Sequence, residues 1–280
     1  MNMFLRRALG VVVVGMAFAR PALAAEPIPP GEEQFKFIIG GVVARIDAGI
    51  GVNGTTSDGT VVDLESPQGD KSATTWMLGG TWRPGSRHRI SGMYFRTSKD
   101  RTLQFDETIT IGDDTLIPPT TLESKSSNNF LFATYRYSFV KNPDVEIAAQ
   151  LGAYINNFDI DLTGNATVSN GTGGTQVTRS VAYSPGVTVP MPLIGATIDW
   201  YATPNFSLGA GLSGLKAKIG DVDGSIYVAT VSAEYMFTRN FGAGVSFMHT
   251  DLDVDVTKAN FNGALNWNND NLLFYGILKF

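Results

Sequence analysis

Two histidines occur in the 280 residues, and only His249 has a carboxylate close by in sequence, Asp251. An imidazole beside a carboxylate can act as a general base on water. Asp113-Asp114 is the candidate for an opposing acidic pair, while His88 sits in a short turn and no His–Ser constellation is evident. A second pattern is Asp-x-Asp, seen at Asp159/Asp161, Asp221/Asp223 and Asp251/Asp253/Asp255. In a strand, period two puts each set on one face. Carboxylates gathered in that way suit Ca²⁺ or Mg²⁺, which prefer oxygen ligands; the plainer expectation is a solvated acidic rim. Gly49–Gly54 and Gly209–Gly214 both match G-x-G-x-x-G. A dinucleotide site needs that pattern between a strand and a helix, and both copies lie within strand-like segments. The expectation is therefore no catalytic residues, no cofactor and no enzyme activity, with metal binding left open.

The elements that must carry these residues begin with an export signal. Residues 1–24 combine Arg6 and Arg7, an apolar run from Leu9 to Ala19, and the small-residue site Ala22-Leu23-Ala24. That run falls short of the ~20 residues a membrane helix needs. Cleavage before Ala25 removes three of the 21 Lys+Arg and leaves 18 against 26 Asp+Glu, a net charge of −8. An acidic chain of this kind is a poor match for nucleic acid. The absence of cysteine excludes disulfides, a lipoprotein anchor and thiolate metal sites. Residues 25–34 form a polar, Pro-rich lead-in, and residues 35–280 read as one domain with a mean hydropathy of +0.02.

That domain alternates apolar with small or polar residues in segments of about ten, the length of a strand crossing a bilayer. Strand one sets Val42, Ala44, Ile46, Ala48, Ile50 and Val52 against Arg45 and Asp47. Later strands set Leu131–Phe139 against Thr134, Arg136 and Ser138, and Val145–Ile155 against Glu146 and Gln150. Others set Ile194–Trp200 against Asp199, Tyr227–Phe237 against Glu234, and Leu272–Phe280 against Asn271, Tyr275 and Lys279. Short turns at 84–86, 141–144, 203–205 and 238–240 alternate with longer connections at 54–72, 98–126, 157–189, 216–224 and 249–270. Gln104–Ile117 reads as a hairpin about Gly112-Asp113 that Pro118-Pro119 then breaks. Aromatics gather beside the short turns, which a soluble sandwich does not explain and an interfacial girdle does. The pattern predicts an all-β fold: a transmembrane antiparallel up-and-down β-barrel of about ten strands, with eight or twelve as alternatives.

The signal peptide, the alternating strands and the terminal Phe280 resemble the small outer-membrane barrels of the OmpA/OmpX/OmpW-like group. The resemblance covers the mature chain and rests on architecture. It implies a Gram-negative outer-membrane location, contact with outer-membrane lipid and lipopolysaccharide, and recognition of Phe280 by the barrel-assembly machinery. It does not bring the cell-wall role of OmpA. The strand number and the His249/Asp251 pair are also similar to omptin proteases, whose barrels carry facing acidic and His–Asp pairs.

Inward parity collects Arg45, Arg136 and Lys279 with Asp47, Glu146, Asp199 and Glu234 as a lumen charge network. Mixed signs in a narrow barrel favour pairing and a plug. The expected function is a non-enzymatic envelope and surface-interaction barrel, the alternative a narrow porin-like channel for small solutes. If the facing is right, Leu151→Arg destabilises more than Gln150→Arg.

Overall fold

In a computed structural model the described residues are 28–29, 31–53, 60, 62–63, 72–111, 113–169, 176–184, 186–258 and 261–280. The signal segment 1–24 and the start of the lead-in lie outside them.

Thirteen antiparallel strands follow in chain order: β1 (Phe35–Val52), β2 (Val62–Asp63), β3 (Ser72–Gly85), β4 (His88–Phe105), β5 (Ile109–Ile111), β6 (Asp114–Lys141), β7 (Val145–Ser169), β8 (Gln176–Tyr183), β9 (Gly186–Thr203), β10 (Phe206–Ile219), β11 (Val222–Met236), β12 (Phe241–Lys258) and β13 (Phe261–Lys279). Ten of them pair in a closed ring, β1-β3-β4-β6-β7-β9-β10-β11-β12-β13, sealed where β13 meets β1 again; β2, β5 and β8 are side branches. Every ring strand has a partner on both sides, with the β3–β4 pairing running from Gly85–His88 to Met77–Phe95 and the β9–β10 pairing from Thr203–Phe206 to Ile194–Gly214. At the seam, Gln34 N and Phe35 N donate to Phe280 O, and Phe280 N donates to Phe35 O.

Period two assigns the faces. Ile39, Leu151, Ile194, Val231 and Phe274 stand more than half exposed on the outer wall. A contiguous apolar belt of this size on a water-soluble protein would invite association; around a barrel it is the lipid face. Trp82, Phe139, Trp200, Phe237, Phe241 and Phe280 lie beside the short turns, all exposed. Toward the other end the belt finishes near Trp76 and Tyr94, whose rings pack 6.0 Å apart. The short turns are closed by side chains. Asn142 Oδ1 accepts from Asp144 N and Val145 N, Thr203 Oγ1 from Asn205 N and Phe206 N, and Thr238 Oγ1 from Phe241 N.

Three expectations are corrected. First, the upper half of strand one faces the other way: Val42, Ala44 and Ile46 are buried inside, while Phe35, Phe37 and Ile39 meet lipid. Arg45 and Asp47 therefore lie on the outer wall, Arg45 exposed and Asp47 opposite Asn268, and neither joins the lumen network. Alternating apolar and polar residues read the same for a lipid face as for a core face, and only ring closure decides which is which. Second, much of the longer connections is strand. β6 runs for 28 residues and β7 for 25, far beyond the length that crosses a bilayer. Third, Pro118-Pro119 does not break β6. The hairpin forms as expected, with Ile109–Ile111 on Asp114–Leu116, and the prolines sit where the β6–β7 register shifts between Ile117 and Thr121. A bulge accepts residues that have no N–H to give to the ladder.

The extended strands β5, β6, β7 and β8 build a sheet above the belt, with Leu116, Leu122, Leu162, Val168 and Val181 turned to the interior. Asp114 ties it together, pairing with Arg179 at 2.7 Å and accepting from Tyr183 OH at 2.8 Å. Burial, then the Asp114 carboxylate, pushes the Tyr183 phenol above its ordinary range. In Asp114→Asn the Tyr183 ionisation, read as the ultraviolet difference against Tyr183→Phe, is expected at lower pH than in the parent. An unmoved midpoint would mean the carboxylate has no hold on Tyr183.

Candidate functional site

The interior has two tiers. The lower one, next to the short turns, centres on Glu146, which is 2% exposed. Arg83 from β3 grips its carboxylate with both amino groups, at 3.0 and 3.1 Å. Arg89 from β4 donates to it at 3.0 Å, Tyr201 OH from β9 at 2.7 Å, and Ser138 Oγ adds a further bond. The other amino group of Arg89 reaches Asp199 at 2.9 Å. A second group pairs Lys36 with Glu234 at 3.0 Å, and Tyr275 OH also donates to Glu234. Gly244 makes room for that tyrosine, since a Cβ there would lie 2.5 Å from the ring.

Register explains why these groups reach across the barrel. Three cross-strand pairs put like charges directly opposite: Glu146 with Asp199, Arg89 with Arg136, and Lys36 with Lys279. Such neighbours repel, so the partners come from farther round the ring. Arg83 on β3 and Glu146 on β7 are three staves apart, as are Lys36 on β1 and Glu234 on β11. Direct ion pairs over that span require a narrow lumen.

The lead-in floors this tier. Gly31 takes φ +78, and a Cβ there would meet Tyr201 OH at 2.8 Å, so glycine is needed twice over. Its carbonyl accepts from Lys141 Nζ at 2.8 Å, and its N–H donates to Glu33. Above the charges lies a cavity of about 190 Å³.

The upper tier is built on aromatic rings. Phe95 stacks on Phe130 at 4.4 Å, and Trp267 packs against Phe130 and Phe158 at 5.9 and 5.2 Å. Among these rings are Asn128, Asn156, Asn269, Asn271 and Thr250, all 0–2% exposed, whose side-chain polar atoms have no hydrogen-bond partner among the described residues. Groups of this kind are ordinarily satisfied by water in native proteins.

Of the expected lumen charges, Arg136, Glu146, Asp199, Glu234 and Lys279 do face inward. Sequence reasoning missed Lys36, Arg83 and Arg89, which were left outside the strands; extending parity by one step from Thr81 or Ser91 finds the two arginines.

Among the described residues the carboxylates of the possible divalent-ion rim do not converge on one site. Asp159 and Asp161 are on β7, four staves from β12. Asp251, Asp253 and Asp255 share one face of β12, exposed on the outer wall as period two requires. Successive members of such a row stand about 7 Å apart along the strand, so an ion needs further carboxylates from the neighbouring strands. Asp253 finds none: it lies opposite Ser225 on β11 and Asn266 on β13. Asp251 lies opposite Tyr227 and Asn268. Only Asp255 faces a carboxylate, that of Asp223, while Asp221 sits in the turn before β11. Among the described residues no group of three His, Cys, Asp or Glu side chains could hold a metal ion. His249 bonds Asp270 at 2.8 Å rather than Asp251, beside Tyr227 and on the outer wall at the upper edge of the lipid belt. Asp114 is taken by Arg179 and Tyr183.

A closed antiparallel ring with an apolar belt, aromatic girdles and an inward charge layer defines a β-barrel of the outer-membrane type, and the chain has that fold. It resembles the crystal structure of outer membrane protease OmpT from Escherichia coli, with a TM-score of 0.57 and 11% identity over 88% of this chain and 96% of that one. Ail of Yersinia pestis is similar at TM-score 0.33 and 10% identity, covering 88% of this chain and 99% of Ail. The Pseudomonas aeruginosa protein OprG is similar at 0.35 and 9%, covering 89% and 97%. The likeness to these two is too slight to argue from. No family model matches the chain, and no curated protein is similar to it in sequence.

Proposed function

We propose that this barrel is a closed, non-enzymatic envelope protein whose long strands hold an interaction surface above the outer leaflet. The observation that carries the reading is the aromatic layer of Phe95, Phe130, Phe158 and Trp267, stacked over a lower tier of ion pairs. Side chains fill a barrel of about eight strands, and an aqueous channel belongs to 16–18. Ten staves with aromatic rings packed at 4.4–6.0 Å fit the filled end. The expected result in planar bilayers is no reproducible single-channel step for the parent, and steps after Phe130→Ala/Trp267→Ala. Steady conductance in the parent would overturn the closed reading.

The second reading, a narrow passage for small solutes, draws support from the buried asparagines and the cavity beneath them, both of which favour internal water. The omptin-like alternative has less behind it. The His249–Asp270 pair points outward, and the 11% identity to OmpT speaks to fold alone. Zymography on peptide and lipid A substrates tests this, with turnover lost in His249→Ala as the contrary result. The same proposal includes signal cleavage after Ala24, delivery by the barrel-assembly machinery through Phe280, and contact with lipopolysaccharide around the upper rim.

A further inference from the structure

The cavity in the lower lumen is floored by Gly31 and Glu33 of the lead-in, and its walls are of two kinds. Its charges do not balance. Among the described residues its lining holds the cations Lys36, Arg89, Arg136 and Lys279 against the carboxylates Glu33, Asp199 and Glu234. One positive charge is in excess. Arg83, Arg89 and Lys36 are consumed in ion pairs, whereas Arg136 uses only Nε, on Gln150 at 3.0 Å. The two amino groups of Arg136 and the ammonium of Lys279, a residue 3% exposed, make no direct hydrogen bond or ion pair among the described residues, Lys279 standing only within the field of Glu33 and Glu234, and both side chains line the cavity. A lumen cation without a direct ion pair is costly, and a bound anion lowers that cost. Farther from the short turns the lining carries Met77, Met93, Phe132 and Met248, with Thr134 and Thr230 between them.

We infer that the cavity is a binding site for a small organic monocarboxylate with a compact apolar body. The planar guanidinium of Arg136 presents two parallel donors, the geometry a carboxylate accepts bidentately. Lys279 adds positive potential from the opposite side of the ring, and a single negative charge neutralises the excess. The apolar body lies against the methionines and Phe132, whose adaptable side chains suit an irregular filling. An apolar cavity of about 150 Å³ accommodates benzene, so 190 Å³ holds one molecule the size of benzoate. A bare inorganic anion would satisfy Arg136 and leave the apolar wall unused.

Calorimetry of the full folded protein in detergent micelles, equilibrated with benzoate, benzyl alcohol or chloride, tests the assignment. Benzoate is expected to bind with one site per chain. Benzyl alcohol and chloride should each bind at least about tenfold more weakly, since a charge-assisted pair and the apolar contact are both needed. Arg136→Gln should weaken benzoate by at least about tenfold. Met248→Trp, which fills the apolar end and leaves every charge in place, should abolish binding while far-ultraviolet dichroism stays that of the parent. Absence of benzoate binding to the parent overturns the inference. So does equal binding of benzyl alcohol or chloride, or benzoate affinity unchanged in both variants. Bilayer conductance is independent of these outcomes, so failure here leaves the closed-barrel reading to its own test.

Discussion

Glu146→Ala is expected to lower the stability of the folded barrel by about 3–5 kcal/mol, the range for removing one partner of a buried ion pair. The carboxylate sits between two arginines and also accepts from Tyr201 and Ser138, so its loss strands several donors at once. Arg83 is the decisive member: its side chain is 4% exposed and Glu146 is its sole carboxylate among the described residues. Arg89 keeps Asp199 and is hurt less. Glu146→Gln should fall close to the alanine variant, because the lost charge matters more than the lost volume. Asp199→Asn should do far less, its side chain being 21% exposed and making one ion pair. Urea unfolding of the protein in lipid vesicles measures all three. A Glu146→Ala chain within about 1 kcal/mol of the parent, a margin the size of one ordinary hydrogen bond, would mean that the arginines find other partners at no cost.

Leu151→Arg is expected to destabilise by about 2–4 kcal/mol, as for a cation near the bilayer midplane. Leu151 is 55% exposed on the outer wall, midway along the stretch of β7 from Val145 to Ile155 that faces lipid. The lumen neighbour Gln150 is not the mild comparator its parity suggests. It is 4% exposed and accepts from Arg136, so an arginine there would set two cations together in a tier already rich in positive charge. Asn157→Arg is the better control, exposed on the same outer face but above the belt, where the penalty falls to about 0–1 kcal/mol. Equal effects at 151 and 157 in the same unfolding experiment would remove the depth dependence and the lipid assignment of this face with it.

Parity was sufficient wherever a strand carried large apolar residues on one side and polar ones on the other through the full lipid belt. β6, β7, β9, β10, β11, β12 and β13 all face as their sequences indicate, with Phe139, Leu151, Trp200, Leu212, Val231, Phe247 and Phe274 outward. It failed on β1, whose Val42–Ile46 pattern straddles the upper edge of the belt. There Val42, Ala44 and Ile46 face an interior that also buries Asn269 and Asn271, and the side of the strand carrying Arg45 is the one that meets water. The same reversal hid the aromatic layer: Phe95, Phe130 and Trp267 carry no mark in the sequence to separate a core aromatic from a lipid-facing one. Asp251, Asp253 and Asp255 show the other limit of parity. Their common face was legible, but what stands across from Asp253 on β11 and β13 is a matter of register.

The amino-acid sequence by itself determined the class of the molecule: alternating segments of bilayer-crossing length, short turns at fixed intervals and a closing aromatic strand admit an all-β barrel with an apolar outer wall. It also determined that Glu146, Asp199, Glu234, Arg136 and Lys279 face inward, because the two-residue period of a strand is a local property. Which of those charges meet was decided only by the closed ring. Partners three staves apart are 63 residues apart in the chain for Arg83 and Glu146, and 198 for Lys36 and Glu234. Their distance follows from barrel diameter and register, which belong to no single segment. For the same reason the cavity, its apolar wall and its unmatched cations exist only once ten strands have closed around them.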